Sequence, residues 1–335
     1  MNWNSSELIC CDTPAELAEH GVRDVVFAIG TFDGLHRGHV AVVQAMLEES
    51  RHLNAAPAVL TFQPHPRAVL NPDNPPPLLM SRERKLSILA SLGVRAVVSL
   101  PFTRKFASLS PDDFLSRCLL SGPVRVRGVC VGSLWQFGAK GAGDIAFLQQ
   151  RANELGFVCR AVPEIRDEHG IVSSTKIREA LAAGDVEFAA HCLGRRPAVS
   201  GVVVSGYGIA GNTLHCATAN LDVRCGMLPA NGVYAAFAVV GNERFPAVVN
   251  IGVAPTFDSY GNGGQVRVEA HLLTDGAPDL YGKEMALGFA ARIRGEHKFA
   301  SPEELAARIQ DDIRLARAAL NEQNQSSAKE ELVLS

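Results

Sequence analysis

The sequence predicts an α/β chain of two domains. The first is a parallel sheet with helices on both faces, and the second is a small antiparallel β-barrel with a C-terminal helix. Three observations predict this. The chain of 335 residues is long for one hydrophobic core. Up to residue 193, short β-branched runs alternate with helical patterns, which is typical of a parallel sheet. From residue 194, short strands follow one another between glycine turns, as they do in a small barrel.

Each half supplies its own predicted elements. In the first half we expect strands at residues 25–29, 56–62, 95–100, 127–131 and 157–162, and helices at 40–52, 83–92, 111–120 and 146–155. In the second half we expect strands at 199–204, 234–240, 247–251, 266–273 and 285–293, then an amphipathic helix at 302–320. The predicted domains are therefore 1–193 and 194–320, followed by a polar tail, 321–335, that frays.

Composition and charge restrict the partners that the chain could have. Hydrophobic residues make up 47% of the sequence, charged residues make up 20%, and the net charge is −3. This balance predicts no nucleic-acid partner and no membrane partner. Residues 1–20 lack a basic start and an apolar core segment, and no apolar run approaches bilayer length, so we expect a cytoplasmic protein. The eight cysteines have no metal-ligand spacing and are expected to be buried thiols. An oligomer is possible, but its state is not readable from the sequence.

The most informative motif follows the first predicted strand. Residues 30–39 read GTFDGLHRGH, a glycine-rich turn that enters a helix and carries His36 and His39 three residues apart. Glycines let backbone N–H groups approach an anion, and a helix start adds unpaired donors. Two imidazoles on one helix face could then stabilise an α-phosphate during nucleotidyl transfer. The alternative is a buried turn with incidental histidines, but the ten-residue context favours phosphate chemistry.

Two further segments of the first half carry polar side chains. Residues 61–66, TFQPHP, lead into a proline-rich loop, where His65 is more simply a hydrogen-bonded loop histidine than a catalyst. Residues 173–178, SSTKIR, place three hydroxyls at a helix start, with Arg178 just inside the helix. By itself this segment is an N-cap. Together with residues 30–39 it predicts a second phosphate-binding segment.

These segments, in this order, resemble the adenylyltransferase half of the bacterial bifunctional riboflavin kinase/FAD synthetases. The resemblance rests on residues 30–39, 61–66, 131–132 with 137–138, 173–178, and then 181, 184–185 and 193–194. It implies a nucleotidyltransferase-type sheet in which His36 and His39 stabilise the transition state at the ATP α-phosphate. The phosphate of FMN would attack, with Mg²⁺ neutralising charge, and no dedicated base would be needed.

The same resemblance implies the binding residues of this half. The nucleotide contacts would be Gly30, Phe32, Asp33, Gly38, Ser174, Thr175 and Arg178, of which the last three would hold the departing pyrophosphate. The flavin contacts would be Phe62, Pro64, Trp135 and Phe137. Trp135 could stack on a flat ring.

Three positions in this half depart from the family pattern. Leu134 stands where the family usually has Asp, and Thr103 takes another usual Asp position. Gly141 stands where a basic residue is expected, although Lys140 is adjacent. In the family these positions lie toward the flavin and nucleotide pocket, so the departures predict weaker FAD synthesis or an altered substrate.

The second half begins with a second glycine motif. Residues 206–211, GYGIAG, satisfy the pattern GxGxxG. The residues that follow lead into a short strand instead of a helix, so we reject a dinucleotide-binding fold and expect a flexible flap over phosphates. Gly206 and Gly211 are candidate nucleotide contacts.

The barrel half resembles the riboflavin kinase half of the same family. The resemblance rests on residues 218–221, 228–229 with 232–234, 250–252 with 255–257, 268–269 with 271–273, 280–282, and 293–294 with 296 and 298–299. It implies that Thr218 and Asn220 bind Mg²⁺ and ATP phosphates, and that Glu269 is the base for the ribityl 5′-hydroxyl. Without this match, Glu269 reads as a surface carboxylate. Arg294 is either a flavin or phosphate contact or an exposed partner of Glu296.

Departures also occur before the second predicted barrel strand. Asn212, His215 and Ala217 stand where the family usually has Arg, Gly and Pro. The changes remove a cation, add a Cβ and relax a backbone constraint, so a less ordered loop and reduced kinase activity are expected.

The sequence therefore favours a bifunctional enzyme with riboflavin, FMN and ATP as ligands. One alternative keeps the fold with only one competent site or a modified flavin as substrate. Another is a flavin-binding regulator without turnover. Glu269 and the pair His36 and His39 favour catalysis, because a binding protein needs neither a base nor paired imidazoles.

Overall fold

The computed structural model describes residues 8–204, 218–253, 266–274, 280–297 and 301–327. Contacts divide the chain into two compact units. The first unit contains the residues up to Pro76 together with Arg82–Ser173, and the second contains Pro77–Ser81 together with the residues from Ser174 onward.

The first unit is built on a six-stranded parallel sheet. Its strands are β1 Ile9–Cys11, β2 Asp24–Ile29, β3 Ala56–Gln63, β4 Ala96–Pro101, β5 Arg125–Gly132 and β6 Val158–Val162, in the order β1-β4-β3-β2-β5-β6. The central strand β2 is buried from Val25 to Ile29, as expected of a sheet covered on both faces. The sequence reasoning missed β1, because three residues carry too little pattern to predict a strand.

Helices precede or follow most of these strands. They are α1 Arg37–His52, α2 Pro66–Leu70, α3 Arg82–Ser91, α4 Arg104–Ala107, α5 Pro111–Asp113 and α6 Ile145–Leu155. Short 3₁₀ helices span Pro14–His20 and Ala139–Gly141, and β7 Arg166–Asp167 pairs with β8 Gly170–Ile171. The single helix predicted at 111–120 is instead α5 followed by a π-helix, Phe114–Leu119, which buries Phe114, Leu115 and Leu119.

Within the described residues, the second unit contains a closed antiparallel barrel and three helices. The helices are α7 Ser174–Ala183, α8 Val186–Leu193 and α9 Pro302–Ser327. The strands are β9 Ala198–Val204, β10 Thr218–Cys225, β11 Gly232–Val240, β12 Glu243–Val253, β13 Val266–Leu272 and β14 Glu284–Arg294, and the barrel closes in the order β10-β13-β12-β11-β14-β9. Helix α9 continues beyond the predicted end at residue 320, as far as Ser327.

The described cysteines are all free thiols; Cys11, Cys130 and Cys192 are buried as expected, whereas Cys118, Cys159 and Cys225 are half-buried and Cys10 is exposed. Burial raises the pKa of Cys130 to about 12, which keeps this thiol protonated near neutral pH. Among the helices of the described ranges, none has the length and apolar character needed to cross a membrane.

Candidate active sites

The turn between β2 and α1 has an unusual backbone. Phe32, Gly34 and Leu35 have φ values of 50°, 81° and 40°, in the left-handed region. Phe32 and Leu35 are fully buried, so packing of their side chains holds a conformation that non-glycine residues rarely adopt. The turn therefore places His36 and His39 at the carboxyl edge of the parallel sheet, where ligands of such sheets bind.

The two histidines form one stacked pair. His36 is the N-cap of α1, and its Nδ1 accepts a hydrogen bond from the backbone N–H of His39 at 3.3 Å. The prediction of two histidines on one helix face is therefore wrong in detail, because His36 precedes the helix. The imidazole rings stack with centroids 3.7 Å apart and planes 19° apart. Because Nδ1 of His36 accepts, the neutral ring carries its proton on Nε2.

A glycine and an aromatic ring set the position of this pair. A Cβ on Gly38 would lie 3.2 Å from Cε1 and Nδ1 of His36, so a larger residue would press on that ring. The edge of the His39 ring meets Phe32, with centroids 5.3 Å apart. The same Gly38 Cβ would lie 3.9 Å from the carbonyl oxygen of Val172, and α7 begins two residues after Val172.

A lysine that the sequence reasoning missed contacts the same turn. Lys85 of α3 donates from Nζ to the carbonyl oxygen of Thr31 at 2.9 Å, and Thr61 donates to that oxygen at 3.1 Å. Burial lowers the pKa of Lys85, and the buried carboxylate of Asp33 partly opposes this shift. No local pattern could have revealed the contact, because Lys85 and Thr31 lie far apart in the sequence.

Aromatic side chains form a continuous row in the first unit. Trp135 and Phe137 stack with centroids 4.6 Å apart and planes 11° apart, and both contact Phe114 at 6.3 and 5.5 Å. Phe114 contacts Phe106 at 6.0 Å, and Phe106 contacts Phe62 at 5.8 Å. The structure thus joins three predicted flavin contacts through two rings that the sequence reasoning missed. A high density of Phe in residues 102–114 was the available signal.

The remaining predicted positions of this unit have simpler surroundings. Pro64 is exposed, and its peptide bond with Gln63 is cis. His65 caps α2 by accepting from the N–H of Arg67 at 3.1 Å, which confirms the reading of a hydrogen-bonded loop histidine. Gly30 follows β2 and its backbone N–H donates to the carbonyl oxygen of Leu60 at 3.1 Å.

The three positions of this unit that depart from the family pattern have different surroundings, and the role of Thr103 is explained by its contacts. Thr103 caps α4 by accepting from the N–H of Phe106 at 3.0 Å, a role that Asp also performs well. Leu134 is 68% exposed, so its apolar side chain lies largely in solvent. Gly141 has a φ of 69° beside Gln136, a conformation that favours glycine.

The predicted pyrophosphate-binding residues open helix α7 in the second unit. Ser174 is its first residue and Thr175, which is exposed, is its second. The Nε of Arg178 donates to the carbonyl oxygen of Pro77 at 2.8 Å, which sets the direction of the guanidinium. The helix start predicted from residues 173–178 is thus confirmed.

Strand register assembles the predicted kinase residues. Asn220 of β10 lies directly opposite Glu269 of β13, and Asn250 of β12 lies opposite Glu269 on its other side. Thr218 lies opposite His271 in the same way. Opposite residues of an antiparallel pair have Cα atoms about 4.5–5.5 Å apart, so the five side chains form one patch.

Alternating burial shows which face carries this patch. Ala219 of β10 and the β13 residues Val268 and Ala270 are buried in the barrel, whereas Thr218, Asn220, Glu269 and His271 are not. The patch therefore lies on the outer face of the barrel. The sequence reasoning missed Asn250 and His271. His271 follows Glu269 by two residues, and this spacing places both on one face of β13. Only the register between strands shows that Asn250 faces Glu269.

Several predicted positions lie outside the described residues. They are Gly206 and Gly211 of the glycine motif, and the departures Asn212, His215 and Ala217. Parts of the kinase resemblance, residues 255–257 and 298–299, also lie outside them. These assignments stay predictions.

Arg294 has a partner that the sequence reasoning missed. Its guanidinium donates to both carboxylate oxygens of Asp312 on α9, at 2.8 to 3.1 Å. The side chain of Asp312 is only 4% exposed and that of Arg294 is 15% exposed, so this ion pair is largely buried. The alternative, in which Arg294 pairs with Glu296 at the surface, is therefore wrong. Glu296 instead accepts a hydrogen bond from the side chain of Asn231 at 3.1 Å. The position of Asp312, three residues after Ile309 and next to Ile313 in the apolar stripe of the C-terminal helix, was the signal in the sequence.

Comparison with known proteins finds relatives of both units. The sequence model of FAD synthetase matches residues 19–176, and that of riboflavin kinase matches residues 193–320. A bifunctional riboflavin kinase/FMN adenylyltransferase from Escherichia coli strain K12 is 38% identical over 293 residues, covering 87% of this chain and 91% of the relative. The protein of that description from Pseudomonas fluorescens is 36% identical over 296 residues, covering 88% of this chain and 93% of the relative.

A solved structure is also similar over most of the chain. It is described as a macrolide-efflux protein from Streptococcus pneumoniae, and it superimposes with a TM-score of 0.81 at 26% identity. The similarity covers 92% of this chain and 98% of that chain.

Proposed function

The chain belongs to the family of bifunctional riboflavin kinase/FMN adenylyltransferases, and from this premise we propose how its residues divide the two reactions. The enzyme phosphorylates riboflavin to FMN with ATP and adenylates FMN to FAD with release of pyrophosphate. The outer-face patch of the barrel would carry the first reaction, and the turn at residues 30–39 would carry the second.

Glu269 is the proposed base of the kinase reaction. A carboxylate takes the proton from the ribityl 5′-hydroxyl as that oxygen approaches the γ-phosphorus. The observation that carries this assignment is the strand register, which places Asn220 and Asn250 on either side of Glu269. Neutral amides beside a carboxylate can orient it and donate to phosphate oxygens without neutralising the base.

Thr218 and Asn220 are the proposed ligands of Mg²⁺ and the ATP phosphates. A hydroxyl and an amide oxygen on one outer face, with the Glu269 carboxylate opposite Asn220, are the hard oxygen donors that suit this ion. The described residues contain no group of three or more His, Cys, Asp or Glu side chains placed to hold a metal, so phosphate oxygens would complete the coordination. When bound, Mg²⁺ would offset charge on the phosphoryl oxygens.

His36 and His39 are the proposed stabilisers of charge at the α-phosphate in the adenylyl transfer. His36 is the N-cap of α1 and His39 lies in its first turn, where a helix start favours an anion, and Gly30 and Gly38 are two of the proposed nucleotide contacts. Ser174, Thr175 and Arg178 would hold the departing pyrophosphate, because a helix start and a guanidinium both favour an anion. Phe32 and Asp33 complete the proposed nucleotide contacts.

The aromatic row supports the proposed flavin contacts. Phe62, Trp135 and Phe137 belong to one set of touching rings, and rings of this kind stack on a flat heterocycle such as isoalloxazine. Pro64 would border that site. Arg294 also stays a proposed flavin contact of the barrel. Its hydrogen bonds to Asp312 orient the guanidinium. A cytoplasmic location belongs to the same proposal and is supported by the need for ATP.

One assay tests the division of the two reactions. Purified protein is incubated with riboflavin, ATP and Mg²⁺, or with FMN, ATP and Mg²⁺, and the flavins are separated by chromatography. We expect FMN and FAD from the first mixture and FAD from the second. FMN without FAD would indicate a monofunctional kinase. FAD formed only from added FMN would indicate a monofunctional adenylyltransferase. The absence of either product would indicate a flavin-binding regulator.

A further inference from the structure

Helix α7 is held at its far end by the barrel. Arg292, near the end of β14, donates from Nη1 to the carbonyl oxygen of Ala183, the last residue of α7, at 2.9 Å. Its Nη2 donates to the carbonyl oxygen of Asn231 at 3.1 Å. Its backbone N–H donates to Glu187 of α8 at 3.3 Å. One guanidinium thus joins the end of α7 to the loop before β11.

Arg292 packs closely against the end of α7. A Cβ on Gly184, which has a φ of 81°, would lie 2.7 Å from Cζ of Arg292, so the helix end packs directly against the guanidinium and a larger residue there would displace it. The backbone N–H of Ala230 adds a hydrogen bond to the carbonyl oxygen of Leu181 at 2.8 Å. A cation at the last carbonyls of a helix also interacts favourably with the helix dipole.

The other end of α7 carries the proposed pyrophosphate contacts. Ser174 and Thr175 open the helix, and Arg178 is fixed by the carbonyl oxygen of Pro77 at 2.8 Å. The helix is ten residues long. A rigid helix transmits a displacement at its last residue to its first turn, because the backbone hydrogen bonds leave no compliant joint between them.

We propose that Arg292, a residue of the barrel, is a positioning residue for the adenylyl transfer. It fixes the axis of α7 and thereby the place at which Ser174, Thr175 and Arg178 meet the departing pyrophosphate. This inference rests on the proposed function of those three residues. The planar fork of arginine bonds two carbonyl oxygens at once, and the single ammonium of lysine does not reproduce that geometry.

The test compares Arg292→Met and Arg292→Lys with wild type in the full chain. Each half reaction is measured separately, and pyrophosphate is added as a product inhibitor of FMN adenylation. Small displacements of positioning groups cost large factors in rate. We expect the inhibition constant of pyrophosphate and the KM for ATP in adenylation to rise about tenfold in Arg292→Met and less in Arg292→Lys. The kcat and KM of the kinase reaction should stay within about twofold.

Arg224→Met is the matched control, because Arg224 lies exposed on β10 and forms a surface ion pair with Asp222, at 3.6 Å. It should leave pyrophosphate inhibition unchanged. Equal losses in both half reactions of Arg292→Met would overturn the proposal, since they would indicate a general structural role. If Arg292→Met does not fold, the inhibition constant of pyrophosphate is measured in Arg292→Lys instead. An unchanged inhibition constant in Arg292→Lys would overturn the proposal.

Arg178→Ala separates this inference from the function on which it rests. Unchanged pyrophosphate inhibition in Arg178→Ala would remove the proposed role of α7 itself. Weakened inhibition in Arg178→Ala together with normal inhibition in Arg292→Met would leave that role in place and overturn only the inference about Arg292.

Discussion

The two units arrange their proposed catalytic residues in different ways. In the α/β unit, His36 and His39 come from a single turn after β2, and the turn depends on residues with left-handed backbone geometry. In the barrel, Asn220 and Glu269 come from different strands that meet through their register. A turn site is sensitive to local backbone conformation. A strand site is sensitive to pairing, because a slip of one residue would turn Glu269 from the outer face to the interior.

The comparison also extends to the ion pairs that support each unit. Asp312 and Arg294 in the barrel unit are largely buried, with side chains 4% and 15% exposed. Asp24 and Arg125 in the α/β unit lie at the amino-terminal end of the sheet, with side chains 25% and 69% exposed. Desolvation makes a broken buried pair costly, whereas water compensates for a lost exposed pair.

The strongest test of the difference between the two sites is Glu269→Gln. An amide cannot accept the hydroxyl proton, so FMN formation should fall about 10²- to 10⁴-fold, while adenylation of supplied FMN stays within about twofold. Glu284→Gln, at an exposed strand position of the same barrel, is the control. Rates are measured by chromatography of the flavins. Unchanged kinase turnover in Glu269→Gln would show that the base is misassigned.

The reciprocal change is His39→Ala. Loss of a group that stabilises transition-state charge should lower FAD formation from FMN about 10²- to 10³-fold and spare FMN formation. His52→Ala, at the exposed end of the same helix, should change neither rate. If His39→Ala reduced both reactions equally, the assignment of one reaction to each unit would fail.

Asp312→Ala sharpens the comparison of the two ion pairs. The change leaves the Arg294 guanidinium without its buried carboxylate, and we expect the free energy of unfolding to fall by about 3 kcal/mol. The neighbouring Asp311 is 53% exposed and pairs with Arg314 at 3.5 Å. Asp311→Ala should therefore cost less than about 0.5 kcal/mol. Urea denaturation followed by circular dichroism measures both, and equal losses would refute the role of burial.

The smallest effect is expected for Asp24→Asn. A hydrogen bond from Arg125, aided by Arg127, lowers the pKa of Asp24 in the folded protein. The pair therefore contributes stability above the unfolded pKa of about 4, and that contribution is lost as the pH falls through the lower folded pKa. The variant should be less stable by under about 1 kcal/mol at pH 7, and the difference should vanish at the acid end of the unfolding curve. A difference that grew toward low pH would contradict this sign.

Much of the fold could be predicted from local pattern. The alternating elements of the first half and the short strands of the second half appear near their expected positions, because periodicity and turn residues act over a few residues. The exceptions are instructive: β1 is too short to show a pattern, and it is recognised as a strand only from its pairing with β4. The π-helix at Phe114–Leu119 buries three apolar side chains, and its wider turn is not predicted by helix periodicity alone.

The sequence by itself determined the class of each domain, the turn that carries His36 and His39, and the helix start at Ser174, because all of these depend on neighbours within about ten residues. Only the tertiary structure decided that the two imidazoles stack, that Asn250 lies beside Glu269, and that Arg294 pairs with Asp312. The physical reason is that register and packing between distant segments are set by burial of the whole core, which no local pattern contains.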